Sequence, residues 1–306
     1  MGLFQKLILD FPDSDWDWNL VSSNPSISLD FVLQHPNLPW LPKYVSMNSS
    51  ITEADVVSNL EYPWDFEGLC MNPNMSMSFF NRYVVKPVEV HRIDWHLLSS
   101  NPSITMIDVI NNPTYSWDDR YLSLNPNLTS NFILNEGKSR NWYVPLVSSN
   151  SGITERDIFK STLSSMFDWD YRNLSANPNL PIAFVNNHMK KNWNFHSIST
   201  QASIQDINIF QKVKWDGHGL SMNENISYDY VQLHRNVKWD YASLLMNKGV
   251  SFASIIDNYN LFKAKLESRN GTIESYLSSN PNLTNQWVKD NQSLVDWKRL
   301  SSNTLN

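Results

Sequence analysis

The sequence predicts an all-α fold, an α-solenoid of about twelve helix-turn-helix repeats of ~24 residues, elongated or superhelical. Three regularities predict it. Tryptophan recurs on a grid. An asparagine follows each grid position by eight residues. An apolar residue and then, in most repeats, Ser or Thr come three and four residues beyond that asparagine. A unit this short cannot enclose its own core, so its apolar positions must bury against neighbouring units.

The asparagine sets the register. Repeats 1 to 12 are anchored on Asn24, Asn48, Asn72, Asn101, Asn125, Asn150, Asn177, Gln201, Asn223, Asn247, Asn280 and Asn303, the last repeat being cut short. Eight residues earlier stand Trp16, Trp40, Trp64, Trp117, Trp142, Trp169, Trp193, Trp215 and Trp239, nine of the 13 Trp. Trp18, Trp95 and Trp297 lie two places later in their repeats, and Trp287 fills a slot in the second helix. The Trp excess is therefore a repeat count, and these residues read as repeat core. A buried Trp hides roughly 150–250 Å², and its truncation to Ala costs about 3–5 kcal/mol.

Each repeat reads as two short helices. Asp follows the Trp position in eight repeats, at Asp17, Asp65, Asp94, Asp118, Asp170, Asp216, Asp240 and Asp296. A carboxylate there accepts from the exposed N–H groups of a first helical turn and offsets the helix dipole. An aliphatic residue comes five after the Trp, as at Val21, Leu69 and Leu122, followed by a small residue, usually Ser, with Cys70 once. The anchor Asn then reads as the helix terminator, because Asn tolerates the left-handed conformation. Proline follows it in six repeats and blocks continuation. The second helix opens on an apolar staple and a Ser/Thr cap, as in Ile104-Thr105 and Leu128-Thr129. Its core is a pair such as Phe31-Val32, Phe132-Ile133 or Phe184-Val185.

Residues 1–15 read as an N-terminal cap, 16–294 as the array, and 295–306 as a truncated C-terminal repeat or cap. Two intervals are long, Asn72 to Asn101 and Asn247 to Asn280. Insertions in repeat arrays map to loops on one face, often the binding face. This makes Arg82, Lys86, Arg92, Lys263, Lys265 and Arg269 candidate interaction-loop residues. The pattern breaks at Gln201, at Leu245 and at Thr272, which stands where a Trp belongs.

Composition narrows the function. One Cys excludes an internal disulfide framework and a Cys-based zinc cluster. A net charge of -6 offers no global attraction to nucleic acid or anionic membrane. The charge is uneven: the first 153 residues carry 8 basic and 16 acidic groups, the remainder 16 and 14. This leaves head-to-tail self-association as one expectation. No apolar run approaches the ~20 residues that span a bilayer, and the N-terminus makes a poor signal peptide. Sequons such as Asn127-Leu128-Thr129 read as by-products of the repeat. No nucleophile elbow, zincin, P-loop or dinucleotide motif occurs. His91, Asp94 and His96 match no metal-ligand spacing, and His188 and His196 read as surface residues. Catalytic residues, metals and cofactors are therefore expected to be none.

The phrases WDWNLVSSNPSISLDFVLQHP, WDDRYLSLNPNLTSNFI and WDYRNLSANPNLPIAFVNNH resemble a W-D-x-x-x-L-S-x-N-P-N-I-T-x-x-F-V repeat of giant nucleocytoplasmic DNA virus proteins. The resemblance runs from about Trp16 to Asn303 and brings no catalytic residues. It implies a viral protein acting in the host cytoplasm or packaged in the virion. With repeats filling the chain, the expected function is a non-enzymatic scaffold for protein partners. The alternatives are a structural virion component, or nucleic-acid binding through the more basic C-terminal half.

Overall fold

The computed structural model describes residues 2–84, 93–159, 168–266 and 272–304. Among them are 25 α-helical segments and no strand, so the fold is an all-α helical repeat. The chain gathers into two compact units, one of Met1–Leu41 with Phe195–Asn306 and one of Pro42–Asn194.

Capping explains where the helices start. All eight Asp residues named above sit at the N-cap of a first helix and accept a backbone N–H from its first turn. Ser28, Thr52, Thr105, Thr129, Ser227 and Thr284 do the same for second helices. Most of these helices have six residues, as in Trp18–Ser23 and Leu29–Gln34. Helices this short are not stable alone, and tertiary packing must hold them. The packing is supplied by the aliphatic residue of each first helix, from Val21 to Leu300, and by the staple residues Ile27, Ile51, Met75, Ile104, Leu128, Ile153 and Ile226, all buried.

The Trp residues do less core work than their size predicts. Trp16, Trp169 and Trp193 are 5%, 7% and 7% exposed, but Trp40, Trp64, Trp117, Trp142, Trp215 and Trp239 are only half-buried. Buried or half-buried, most of them share a hydrogen bond. In seven repeats the indole Nε1–H donates to the carbonyl five residues earlier, at or, for Trp142, one residue past the C-cap of the preceding helix; Trp40 reaches His35 and Trp117 reaches Asn112, both at 2.9 Å. The ring thus closes the connection between consecutive repeats. Trp215 is the exception among the described residues, with a buried indole N–H and no partner.

The anchor asparagines also act differently from the sequence expectation. Six of them cap first helices, but in extended rather than left-handed conformation: Asn24 has φ -69 and ψ 125, Asn72 φ -71 and ψ 123, Asn101 φ -67 and ψ 131, and Asn150, Asn223 and Asn247 are alike. Before Asn125, Asn177, Asn280 and Asn303 the C-cap is the Ser two places earlier. What requires Asn is its amide. Asn125 is fully buried, and its Nδ2 donates to the carbonyls of Ser99, Asn101 and Ile104 in the preceding repeat at 3.0, 3.0 and 3.1 Å. Its Oδ1 accepts the N–H of Asn127 at 2.8 Å. Asn72, Asn101, Asn150 and Asn177 repeat this pattern in one unit, and Asn247 and Asn303 in the other. Asn223 donates to Ser199 and Ala202, adjusting to the Gln201 departure. Asn280 donates to Leu245.

A serine two residues before the anchor supplies a second bond. In ten repeats its Oγ accepts the backbone N–H of the residue after the next repeat's Trp position, as Ser99 does from Asp118 at 3.0 Å. Cys70 takes this slot once and accepts from Asp94. The second Asn of N-P-N adds a third bond: Asn127 Nδ2 donates to Pro102 and Ile104 of the preceding repeat. The sequon asparagines Asn74 and Asn282 are committed in the same way.

The two ends of the chain meet inside the first unit. Asn24 Nδ2 donates to the carbonyls of Ser301 and Asn303, both at 3.0 Å. Asp17 N–H donates to Ser301 Oγ at 2.9 Å. Trp297 packs on Trp16 at 5.0 Å between ring centres, as Trp18 packs on Trp40 and Trp95 on Trp117, each at 5.3 Å. Repeat 12 therefore contacts repeat 1 as a preceding repeat would. Among the described residues no second helix follows it, and the helix Leu3–Asp10 takes that place. Phe4, Leu7 and Ile8 of this helix are buried, Trp16 Nε1 donates to its C-cap Phe11, and Asp10 pairs with Lys289 at 2.9 Å. The segments read from sequence as separate terminal caps make up one composite repeat.

Candidate functional site

The site with the most convergent chemistry lies under the second insertion. The sequence expectation was a loop there, but the insertion forms a helix, Tyr259–Leu266. Phe262 and Leu266 are buried, and Phe262 lies 5.5 Å from Tyr228 and 5.4 Å from Tyr241 between ring centres. The outer edge of this helix, the end of repeat 9 and the start of repeat 10 bound a cavity of about 560 Å³. Arg235, Lys238 and Lys265 line it with Tyr228, Trp239 and Tyr241. The Lys265 ammonium stands 5.8 Å from the centre of the Tyr241 ring. Burial pushes the Tyr241 hydroxyl above its ordinary pKa, and the neighbouring Tyr228 raises it further against the pull of Arg235. Tyr241 thus stays a protonated donor at neutral pH.

Asp240 is the carboxylate of this wall, and its oxygens are already engaged. They accept from the Ala242 N–H at 3.3 Å and from Ser243 Oγ at 2.8 Å, and His218 Nε2 lies 3.1 Å away. Of the interaction residues expected from sequence, Lys265 enters the cavity, and Lys263 is exposed on the same helix. Arg269, Lys86 and Arg92 lie outside the described residues. Arg82 sits in a π-helical turn, Phe80–Val84, 5.4 Å from the Tyr83 ring centre, and lines a separate cavity of about 320 Å³. Arg235 and Lys238 were not singled out from sequence, because each stands in an ordinary repeat connection whose partner helix comes from the insertion.

A second set of polar contacts recurs between repeats. His96, His196 and His218 all lie three residues after their Trp position, and each faces the capping Asp of the next repeat. His96 Nε2 is 3.3 Å from Asp118, His196 Nδ1 is 2.9 Å from Asp216, and His218 Nε2 is 3.1 Å from Asp240. Lys43 pairs with Glu67 from the same position. The shared position was legible in the sequence, but only after the register had been set. The Asp216 carboxyl is held below the ordinary carboxylate value, first by the Gly219 N–H and then, against burial, by His196. A depressed folded-state pKa adds stability above the unfolded pKa, and this is lost as pH falls through the folded value. Stability should therefore decline below about pH 4, and Asp216→Asn should flatten that decline. Urea midpoints across the acid range check this; an unchanged acid limb in the variant would contradict it.

His188, expected at the surface, has a structural part with His35 and His234. Each stands at a second-helix C-cap, with Nδ1 2.8–2.9 Å from the carbonyl four residues earlier. A carbonyl can only accept, so Nδ1 carries the hydrogen. The thiol of Cys70 is buried, and burial pushes it up to about 12. It should resist a thiol reagent at about pH 8 until the chain unfolds, since the thiolate is the reactive form. Cys70→Ser should change stability by less than about 1 kcal/mol, because Ser makes the same bond in ten repeats. Rapid labelling of the folded chain would contradict the burial.

No group of three or more His, Cys, Asp or Glu side chains among the described residues is placed to hold a metal ion. No described helix is long and apolar enough to cross a membrane.

Comparison with protein-family models, curated proteins and solved structures gives no match to this chain.

Proposed function

We propose that the chain is a non-enzymatic repeat scaffold that holds protein partners, acting on the strength of the repeat resemblance as a viral protein in the host cytoplasm or virion. One observation carries this reading. In four repeats the position nine residues after the anchor, on the second helix, holds an apolar side chain outside the core. Leu33, Ile110, Phe159 and Ile256 fill this position and are 43%, 46%, 49% and 41% exposed. Ile107, one turn before Ile110, is exposed as well. The interior asparagines, serines and Trp indoles are used in joining repeats, so what is left for a partner is exposed apolar side chains, at this second-helix position and also at the ends of first helices, at Met71, Leu124, Met222 and Met246. Exposed apolar residues that recur together mark protein-interaction surfaces.

The test is capture of partners from cells expressing the protein, followed by cross-linking. Saturable partners should cross-link to the second helices, and Ile110→Asp with Phe159→Asp should lose them while the unfolding midpoint stays within a few degrees. A captured partner indifferent to both substitutions would overturn the surface assignment. Head-to-tail association of two copies would require the ends to exchange, because repeat 12 of the same chain already occupies the face of repeat 1.

A further inference from the structure

We propose that the cavity under the helix Tyr259–Leu266 binds a phosphomonoester carried on a planar ring. The first observation is charge. Arg235 and Lys238, from one connection between repeats, and Lys265, from the insertion helix, converge on one cavity. Among the described residues none of the three is paired with a carboxylate, and the one acidic wall residue, Asp240, is engaged by Ala242, Ser243 and His218. Three like charges around one space repel one another, and an anion relieves that repulsion. Guanidinium and ammonium groups bind phosphate through charge-assisted hydrogen bonds, Arg by its planar fork and Lys as a point charge.

The second observation is the wall beside these charges. Trp239 and Tyr241 line the same cavity, and stacking on an aromatic face suits a ring of either a base or a phenol. The volume of about 560 Å³ falls within the 300–1,000 Å³ typical of small-ligand sites. The third observation is origin. The helix that closes the space and brings Lys265 to it is one of the array's two insertions, and repeats without an insertion lack this wall. The site is distinct from the apolar second-helix position proposed for protein partners.

Isothermal titration of the full chain tests the proposal with phenyl phosphate, adenosine monophosphate, inorganic phosphate and phenol as probes. Phenyl phosphate or adenosine monophosphate should bind at one site per chain, each cation contributing about tenfold or more, and whichever binds tighter identifies the source of the ring. Arg235→Ala and Lys238→Ala should each weaken binding by that factor. Both side chains are exposed, so the helical circular dichroism and unfolding midpoint should hold. Trp239→Phe, which keeps a ring, should bind more tightly than Trp239→Ala. The proposal is overturned if no ring-bearing phosphate binds, if the cation variants bind as the parent does, or if inorganic phosphate binds as tightly as the ring-bearing esters.

Discussion

Replacing Asn125 by Ala is expected to cost about 3–5 kcal/mol of stability, large for a neutral side chain. The Asn125 amide satisfies three carbonyls of the preceding repeat and one N–H of its own. These groups are shut away from water, since Asn125 is fully buried and its neighbours Ser99 and Asn101 are nearly so. Each buried polar group left unpaired costs about 1–3 kcal/mol, and partial relaxation keeps the total below the simple sum. Asn125→Asp should be at least as harmful, because it points a carboxylate at three carbonyl oxygens and removes both donors. Urea unfolding checks both variants.

Deleting the helix Leu3–Asp10 should destabilise the last repeat as much as the first. Phe4, Leu7 and Ile8 are at most 1% exposed, and burying such side chains is worth about 1.5–3 kcal/mol each. Their loss uncovers Trp16, on which Trp297 packs, and the neighbouring helix Asn285–Asp290. Hydrogen exchange should accelerate in 16–24 and 297–303 together, although these segments are far apart in sequence. The uncovered apolar face has lost its partner, so the truncated chain should also associate with rising concentration. If exchange increases only near the deletion, the composite repeat is not what holds the C-terminal segment.

Much of the fold was legible because each repeat states its local rules twelve times. The Asp caps, the Ser/Thr caps and the buried aliphatic positions follow from capping chemistry and spacing alone. The asparagine was placed correctly but given a local reason, because a single repeat shows only that a helix ends there. Its bonds run to the preceding repeat, from Asn125 to residues 21 to 26 positions earlier, and no one-repeat reading contains them. The Trp residues were given to the core on size, and the indole N–H was left out of account. Completion of repeat 12 by the N-terminal helix was hidden for the same reason: residues 3–10 lack the Trp and Asn that mark the register. At the cavity, Lys265 was visible as a charge in an insertion, whereas Arg235 and Lys238 became site residues only when folding set the insertion helix beside them.

The central claim is that the anchor asparagines are kept for bonds between repeats and not for the backbone conformation that ends a helix. Glycine separates the two roles, since it adopts the left-handed conformation more readily than Asn but has no amide to donate. The most direct measurement is the urea-unfolding free energy of Asn125→Gly beside the parent chain. A loss of about 3 kcal/mol or more, as for Ala, is the predicted result. A glycine variant as stable as the parent would contradict it and return Asn125 to the role of helix terminator.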